Sequence, residues 1–414
     1  MSGEFIMHSQ RWMTLLPLLI ALCGGNAWAA GPDEVSTFSV RGFGTLGVAR
    51  SSSDQAEFAR DFSQPGGIKG GQWSGRIDSL LGVQANWRAT PELELVGQLV
   101  SRYRYDESRV PQVEWAFAKW EPDARVALRA GRIGADFMML ADSRLVGYSY
   151  LTVRPPTDFF GPLFFFHFDG VDASLTWPLG GGLLRGKLFA GATSEKTSMA
   201  GGIWDTSDAP VRGLVFDYLE GPWQWRASTA TVKFPHDIEF ARQLAIALRA
   251  DNADSAAVAA LSVAGTTTRY HSLGVTYDDG PLQVQAMLNA IRHEAGYLQN
   301  SRAGYLLAGY RLGTVTPYAG VSWWKSQGKS LATGLSDPPF GDLNRRFDFA
   351  LASSGADQVT YTLGARWSLC GNTAIKLQWD AIRGSAASRL PVLRSQPDWN
   401  GRTDVISAVV DFIF

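Results

Sequence analysis

From about residue 37 to residue 414 the chain alternates apolar and polar positions with period two, in runs separated by turn-forming residues. In "IDSLLGVQANW", Ile77, Ser79, Leu81, Val83, Ala85 and Trp87 fall on one side, and Arg76, Asp78, Gln84, Asn86 and Arg88 on the other. "ELELVGQLVSRYRY" repeats this, with Leu93, Leu95, Leu99, Tyr103 and Tyr105 opposite Glu92, Glu94, Gln98, Arg102 and Arg104. "LQVQAMLNAIRH", "AIKLQWDA" and the closing "VISAVVDFIF" behave alike. Side chains alternate across a strand, so these runs predict strands with one greasy and one polar face. The pattern predicts strands near 37–50, 75–89, 92–105, 110–121, 124–132, 165–177, 183–194, 210–219, 223–233, 268–278, 281–294, 302–312, 315–326, 356–369, 373–384 and 403–414, sixteen in all.

The connections narrow the choice of fold. Short turns ("TPE", "EPDA", "PLGGG", "EGP", "DDGP", "GTV", "CGN") follow the even strands, and longer polar segments follow the odd ones. A two-sheet sandwich gives no reason for that alternation. A transmembrane barrel does, because short periplasmic turns alternate with long outer loops and the strand number is even. Strands of roughly 9–11 residues suffice to cross a bilayer when tilted. Trp87, Tyr103, Tyr105, Trp115, Trp177, Trp223, Trp225, Trp323 and Trp379 lie at or near strand ends. Aromatics prefer that level because one end of the ring is apolar and the other wet.

Composition agrees. The 38 basic and 39 acidic residues nearly balance, which argues against nucleic acid as partner. No later run is long and apolar enough for a transmembrane helix. At the front, Arg11, the apolar "LLPLLIALCGG" and the Ala27-x-Ala29 pattern read as an export signal over residues 1–29. A single barrel domain, 30–414, is expected to follow, with a long third loop at 133–164 and a partly helical outer loop at 236–262. The fold class is therefore all-β: a transmembrane antiparallel barrel of 16 strands with short periplasmic turns and long outer loops.

At this point the chain resembles the 16-stranded porins of Gram-negative outer membranes. The resemblance rests on "FSVRGFGTLGVA", "SLLGVQANWRATPELELVGQL", "RVALRAGRIG" entering the third long loop, and "DVISAVVDFIF". It implies outer-membrane lipid as surroundings, a homotrimer, and a closing strand whose Phe414 and Phe412 serve as the signal read by the barrel assembly machinery. The resemblance also implies that the third long loop, 133–164, folds into the lumen as the constriction; its segment "ADFMMLADSRLVGYSYLTVRPPTDFFGPL" lacks the acidic Pro-Glu-Phe-like motif of many family members, so only the loop's position carries over.

A barrel of this size leaves an aqueous lumen, so inward faces should be polar. Strand parity sends Arg41, Arg76, Arg102, Arg104, Arg125 and Arg129 inward, and the third loop supplies Asp136 and Asp142 opposite them. Opposed rows of charge bias ion passage. The expectation is passive diffusion of small hydrophilic solutes and ions with mild anion preference. The bland reading is that each arginine pairs with a carboxylate on its own wall. Alternatives in function are a channel selective for a sugar, carboxylate or phosphate, and a non-conducting barrel acting as receptor or adhesin. Enzymatic work is not expected: there is no GxSxG or HExxH, and His271 and Ser272 fall on opposite strand faces. No cofactor or metal is called for.

Overall fold

The structure is a computed structural model. It describes residues 37–414 apart from 164, 200, 201, 386, 387, 389–391 and 394–397, so the expected signal peptide lies outside the described residues. Sixteen long strands form one antiparallel sheet: β1 (Phe38–Ser51), β2 (Leu80–Arg88), β3 (Leu93–Arg102), β4 (Gln112–Trp120), β5 (Val126–Gly134), β6 (His167–Leu179), β7 (Gly182–Thr193) and β8 (Ala209–Glu220). They continue as β9 (Trp223–Lys233), β10 (Thr267–Asp279), β11 (Leu282–His293), β12 (Asn300–Tyr310), β13 (Val315–Gln327), β14 (Asp357–Cys370), β15 (Thr373–Gly384) and β16 (Arg402–Ile413). Each strand pairs with its neighbour in sequence, and β16 returns to β1 from Phe43↔Ile413 to Ser51↔Val405. The barrel is closed, so no long edge is left unpaired.

The closing seam is built by shape as well as hydrogen bonds. Phe414 and Gly42 exchange two backbone bonds of 2.7 and 2.9 Å. A Cβ at Gly42 or Gly44 would run into the rings of Phe414 and Phe412 respectively. Two bare positions on β1 thus seat the two aromatic rings of β16 on the outward face.

Outward positions are apolar and strongly exposed, for example Leu188 at 61%, Leu273 at 62% and Leu377 at 59%. So broad an apolar surface does not persist in water, and it identifies the lipid-facing belt. Trp87, Trp120, Trp223, Trp225, Tyr310 and Trp367 ring its short-turn end. Trp115 is not part of this ring. A register shift between Gln98 and Leu99 in the β3–β4 pairing changes the phase of β4, and Trp115 lines the lumen instead. Tyr103 is buried beneath Arg76.

The inward faces of β9–β13 depart from the expectation of a polar lumen. Val232, Tyr270, Met287, Tyr305, Leu307, Tyr318 and Trp324 are buried there in one apolar cluster. The same cluster takes in third-loop residues and the outer helices α1 (Glu239–Ala250), α2 (Ser255–Ala260) and α3 (Gly341–Ala352). The wall is greasy there because the loops, rather than water, lie against it.

Candidate functional site

The third loop, 135–166, enters the lumen from β5 and crosses it. Near its start, the Asp136 carboxylate binds Lys187 on β7 and Arg226 on β9, the latter at 2.6 Å. Phe137 packs 5.0 Å from Tyr270 and 5.6 Å from Phe165 between ring centroids. Arg226 also donates to the Met138 carbonyl at 2.8 Å.

Further on, the loop reaches the opposite wall. Lys376, on β15, donates to the Gly147 and Thr152 carbonyls at 2.6 and 2.9 Å and pairs with Asp411 at 2.9 Å. Gly147 is needed here, because a Cβ would strike the Asp411 carboxylate and the Thr45 hydroxyl. Arg154 makes the densest contact. Its guanidinium forks onto Asp78 at 2.9 and 2.7 Å, and reaches Asp380 at 3.0 Å and Ser407 at 2.6 Å, all out of water. The helical turn Thr157–Phe160 then seats Asp158 on Ser322 (2.6 Å) and Gln358 (2.5 Å), with Phe159 and Phe160 against Tyr305. Phe159 and Phe160 anchor the loop in this way. Arg144 closes the return by donating to the Leu163 and Phe165 carbonyls.

What stays open is a polar cavity of 380 Å³ between the loop and the walls of β2–β7. Its acidic lining comes from Glu94, Glu121, Asp136, Asp142 and Asp172, and its basic lining from Lys119, Arg125, Arg129, Arg185 and Lys187. Gln84, Asn86, Trp115 and Phe117 also line it. Arg129 forks onto Asp172 through Nε and Nη2. Arg185 and Arg226 share Asp217, while Arg226 and Lys187 share Asp136. The network therefore holds three cations on two carboxylates.

Of the residues singled out in the sequence, the structure brings Arg125, Arg129, Asp136 and Asp142 to this one cavity. The others lie elsewhere. Arg41 is exposed near the short-turn end of β1, in register with Gln84. Arg76 precedes β2 and lies 5.1 Å over the Tyr103 ring, and Ile77 rather than Arg76 turns into the interior apolar packing. Arg102 donates to Ser63 at 2.7 Å and stacks on Phe166, and Arg104 pairs with Glu114 at 2.8 Å. These two belong to a buried outer cluster with His167 and Glu195. Donor atoms of Glu114, His167 and Glu195 lie within 4.8 Å of one another. Arg104 and the Phe166 N–H already occupy the carboxylates, so the cluster is an ion network and not an open ligand set.

Sequence reasoning missed Arg154 and Arg144. A loop arginine carries no periodic signal. His271 is outward, while Ser272 is inward and bonded to Ser228 at 2.8 Å.

No protein-family profile matches the chain, and no curated protein matches it in sequence. Solved structures do. An outer membrane protein of Vibrio cholerae, OmpT, aligns with a TM-score of 0.55 at 11% identity, over 93% of this chain and 100% of that one. The anion-selective porin from Comamonas acidovorans gives 0.53 at 13% identity, over 91% and 99%. The outer membrane channel DcaP of Acinetobacter baumannii gives 0.53 at 12%, over 93% and 100%. The chain thus has the fold of the outer-membrane porins, a closed 16-stranded antiparallel barrel.

Proposed function

We propose that the protein is an outer-membrane porin passing small hydrophilic solutes and ions by passive diffusion. The observation that carries this reading is the charged cavity between the third loop and the β2–β7 walls, set inside a closed lipid-facing barrel. Neighbours in fold include an anion-selective porin and an outer membrane channel, which supports the class. Mild anion preference belongs to the same proposal; what supports it is the wall network, where three cations, Arg185, Arg226 and Lys187, share Asp217 and Asp136, with Asp142 beside them in the cavity. The near-balanced lining argues for weak rather than strong discrimination. No catalytic role is part of the proposal. Homotrimeric assembly, export through residues 1–29 and reading of Phe412 and Phe414 by the barrel assembly machinery belong to the same reading.

A second reading has its own support. The apolar cluster joining the third loop to α1, α2 and α3 lies across the lumen at the long-loop end. The space within this cluster, lined by Phe137, Phe165, Val232, Tyr270 and Trp324, is only 70 Å³, which favours a substrate-selective channel or a non-conducting receptor or adhesin. Single-channel recording in a planar bilayer with a salt gradient separates the two. Open steps with a weakly anion-selective reversal potential support the porin. Small currents blocked by one solute class support a selective channel, and silence from a correctly folded barrel overturns conduction.

A further inference from the structure

The buried ion network around His167 ends at a serine that conduction does not use. His167 opens β6, Glu114 lies on β4, and Ser194 follows directly after β7. His167 Nδ1 stands 3.2 Å from Glu114 Oε2 and 3.3 Å from Glu195 Oε1, and Nε2 stands 3.4 Å from Ser194 Oγ. Carboxylates only accept, so in the neutral ring Nδ1 carries the proton and Nε2 keeps the lone pair that faces the hydroxyl. Glu114 is fixed in turn, because Arg104 donates to its Oε1 at 2.8 Å. A hydroxyl nucleophile, a base within hydrogen-bond reach and an acid that orients the base are the parts of a serine hydrolase. They come from three separate strands, 53 and 27 residues apart, so no sequence motif announces them.

The serine sits where a substrate can reach it. His167 and Glu114 are buried, whereas Ser194 is half-buried beside the partly exposed Arg132 and Asp169. Arg132 donates from Nη2 to Ser194 Oγ at 2.8 Å and forks onto Asp169 at 2.7 and 2.8 Å. A guanidinium that close to Oγ stands ready for the negative charge that forms on a carbonyl oxygen as Oγ attacks. Two residues below Arg132 and Asp169, the paired Ala130 and Val171 begin an apolar depression of 750 Å³ in the outward face. It continues over Leu128, Leu188 and Leu214. A nucleophile at the rim with an apolar hollow beneath it fits an ester that carries an acyl chain, the ester group above and the chain below.

We propose that Ser194 and His167, with Glu114 positioning the histidine, hydrolyse acyl-chain esters at the outward rim. This goes beyond the porin reading and does not depend on conduction. Ser194 Oγ bonds the ester carbonyl carbon while His167 Nε2 takes the hydroxyl proton. The bond from that carbon to the alcohol oxygen breaks, and the proton passes from Nε2 to the leaving oxygen. Water then attacks the acyl-serine, giving a proton to Nε2, which returns it to Oγ as the acid departs. The full-length protein in neutral detergent is treated with an alkyl fluorophosphonate and, separately, with the p-nitrophenyl esters of acetate and laurate. The expected results are a label on the peptide carrying Ser194 and laurate hydrolysis roughly tenfold or more faster than acetate hydrolysis. Ser194→Ala should lose the label and on the order of 100-fold in rate, while conducting as the native barrel does. Glu114→Gln should slow hydrolysis and shift its pH–rate profile, which a merely structural loss would leave in place. A native protein that folds and conducts but takes no label at Ser194 would overturn the inference and leave the porin reading intact. Ester hydrolysis undiminished in Ser194→Ala would overturn it too, and equal rates on the two esters would overturn the acyl-chain site. Labelled protein without conductance would support the esterase and sink the porin reading alone.

Discussion

The two sides of the third loop meet the barrel in opposite ways. Against β12–β15 the space left between loop and wall is 20 Å³, room for a single water. Against β2–β7 it is 380 Å³. Both walls carry charge, so charge alone does not separate them. On the docked side the loop brings its own counter-ions and backbone to the wall: Arg154 to Asp78 and Asp380, the Gly147 and Thr152 carbonyls to Lys376. On the open side the loop brings one counter-ion, Asp136 on Lys187 and Arg226, and the rest of the wall pairs with itself, Arg129 with Asp172 and Arg185 with Asp217, while Asp142 makes no ion pair among the described residues. A charge already satisfied by its own wall gives the loop nothing to seal against, and water stays. The narrowing of the lumen is thus a matter of which wall leaves its carboxylates for the loop.

The strongest way to break the contrast is Arg154→Ala. It strands two buried carboxylates, and breaking a buried pair costs about 3–5 kcal/mol. Denaturant unfolding should shift accordingly, and single-channel current should rise as the loop leaves the wall. Unchanged current would mean that this anchor does not set the opening. Asp158→Ala works on the same wall more gently. It leaves Ser322 and Gln358 without their acceptor, a loss of roughly 1–3 kcal/mol, visible as a smaller shift in unfolding midpoint.

On the open wall the expected effects are on selectivity. Lys187→Glu turns the three-cation network acidic beside Asp136 and should move the reversal potential toward cations, with the barrel still folded. An anion-selective variant would sink the assignment of the preference to this network. Smallest is Arg125→Gln at the exposed short-turn mouth. Stability should stay within about 0.5 kcal/mol, with a slight loss of anion preference in the same recording.

Much of this molecule was legible in the chain. Period-two alternation, with long and short connections in turn, located the sixteen strands to within a few residues, and parity placed Arg125 and Arg129 inward, where both line the cavity. Where the phase slipped, as at Trp115 beside the β3–β4 register shift, parity failed, because a single extra residue reverses every face beyond it. Asp136 and Asp142 were legible as third-loop acids, but their surroundings were not: Asp136 is held by Lys187 and Arg226, and Arg102 and Arg104 belong to another cluster.

The sequence by itself determined the barrel, because strand identity is local: each run needs only its own alternation and the turns at its ends. Only the tertiary structure decided the pore. Arg154 lies 76 residues from Asp78 and 226 from Asp380, and no local pattern links them. Their meeting depends on the closed cylinder, which sets β15, β16, β1 and the segment leading into β2 in succession, and on a loop free of periodicity that can follow whichever unpaired charges the walls leave.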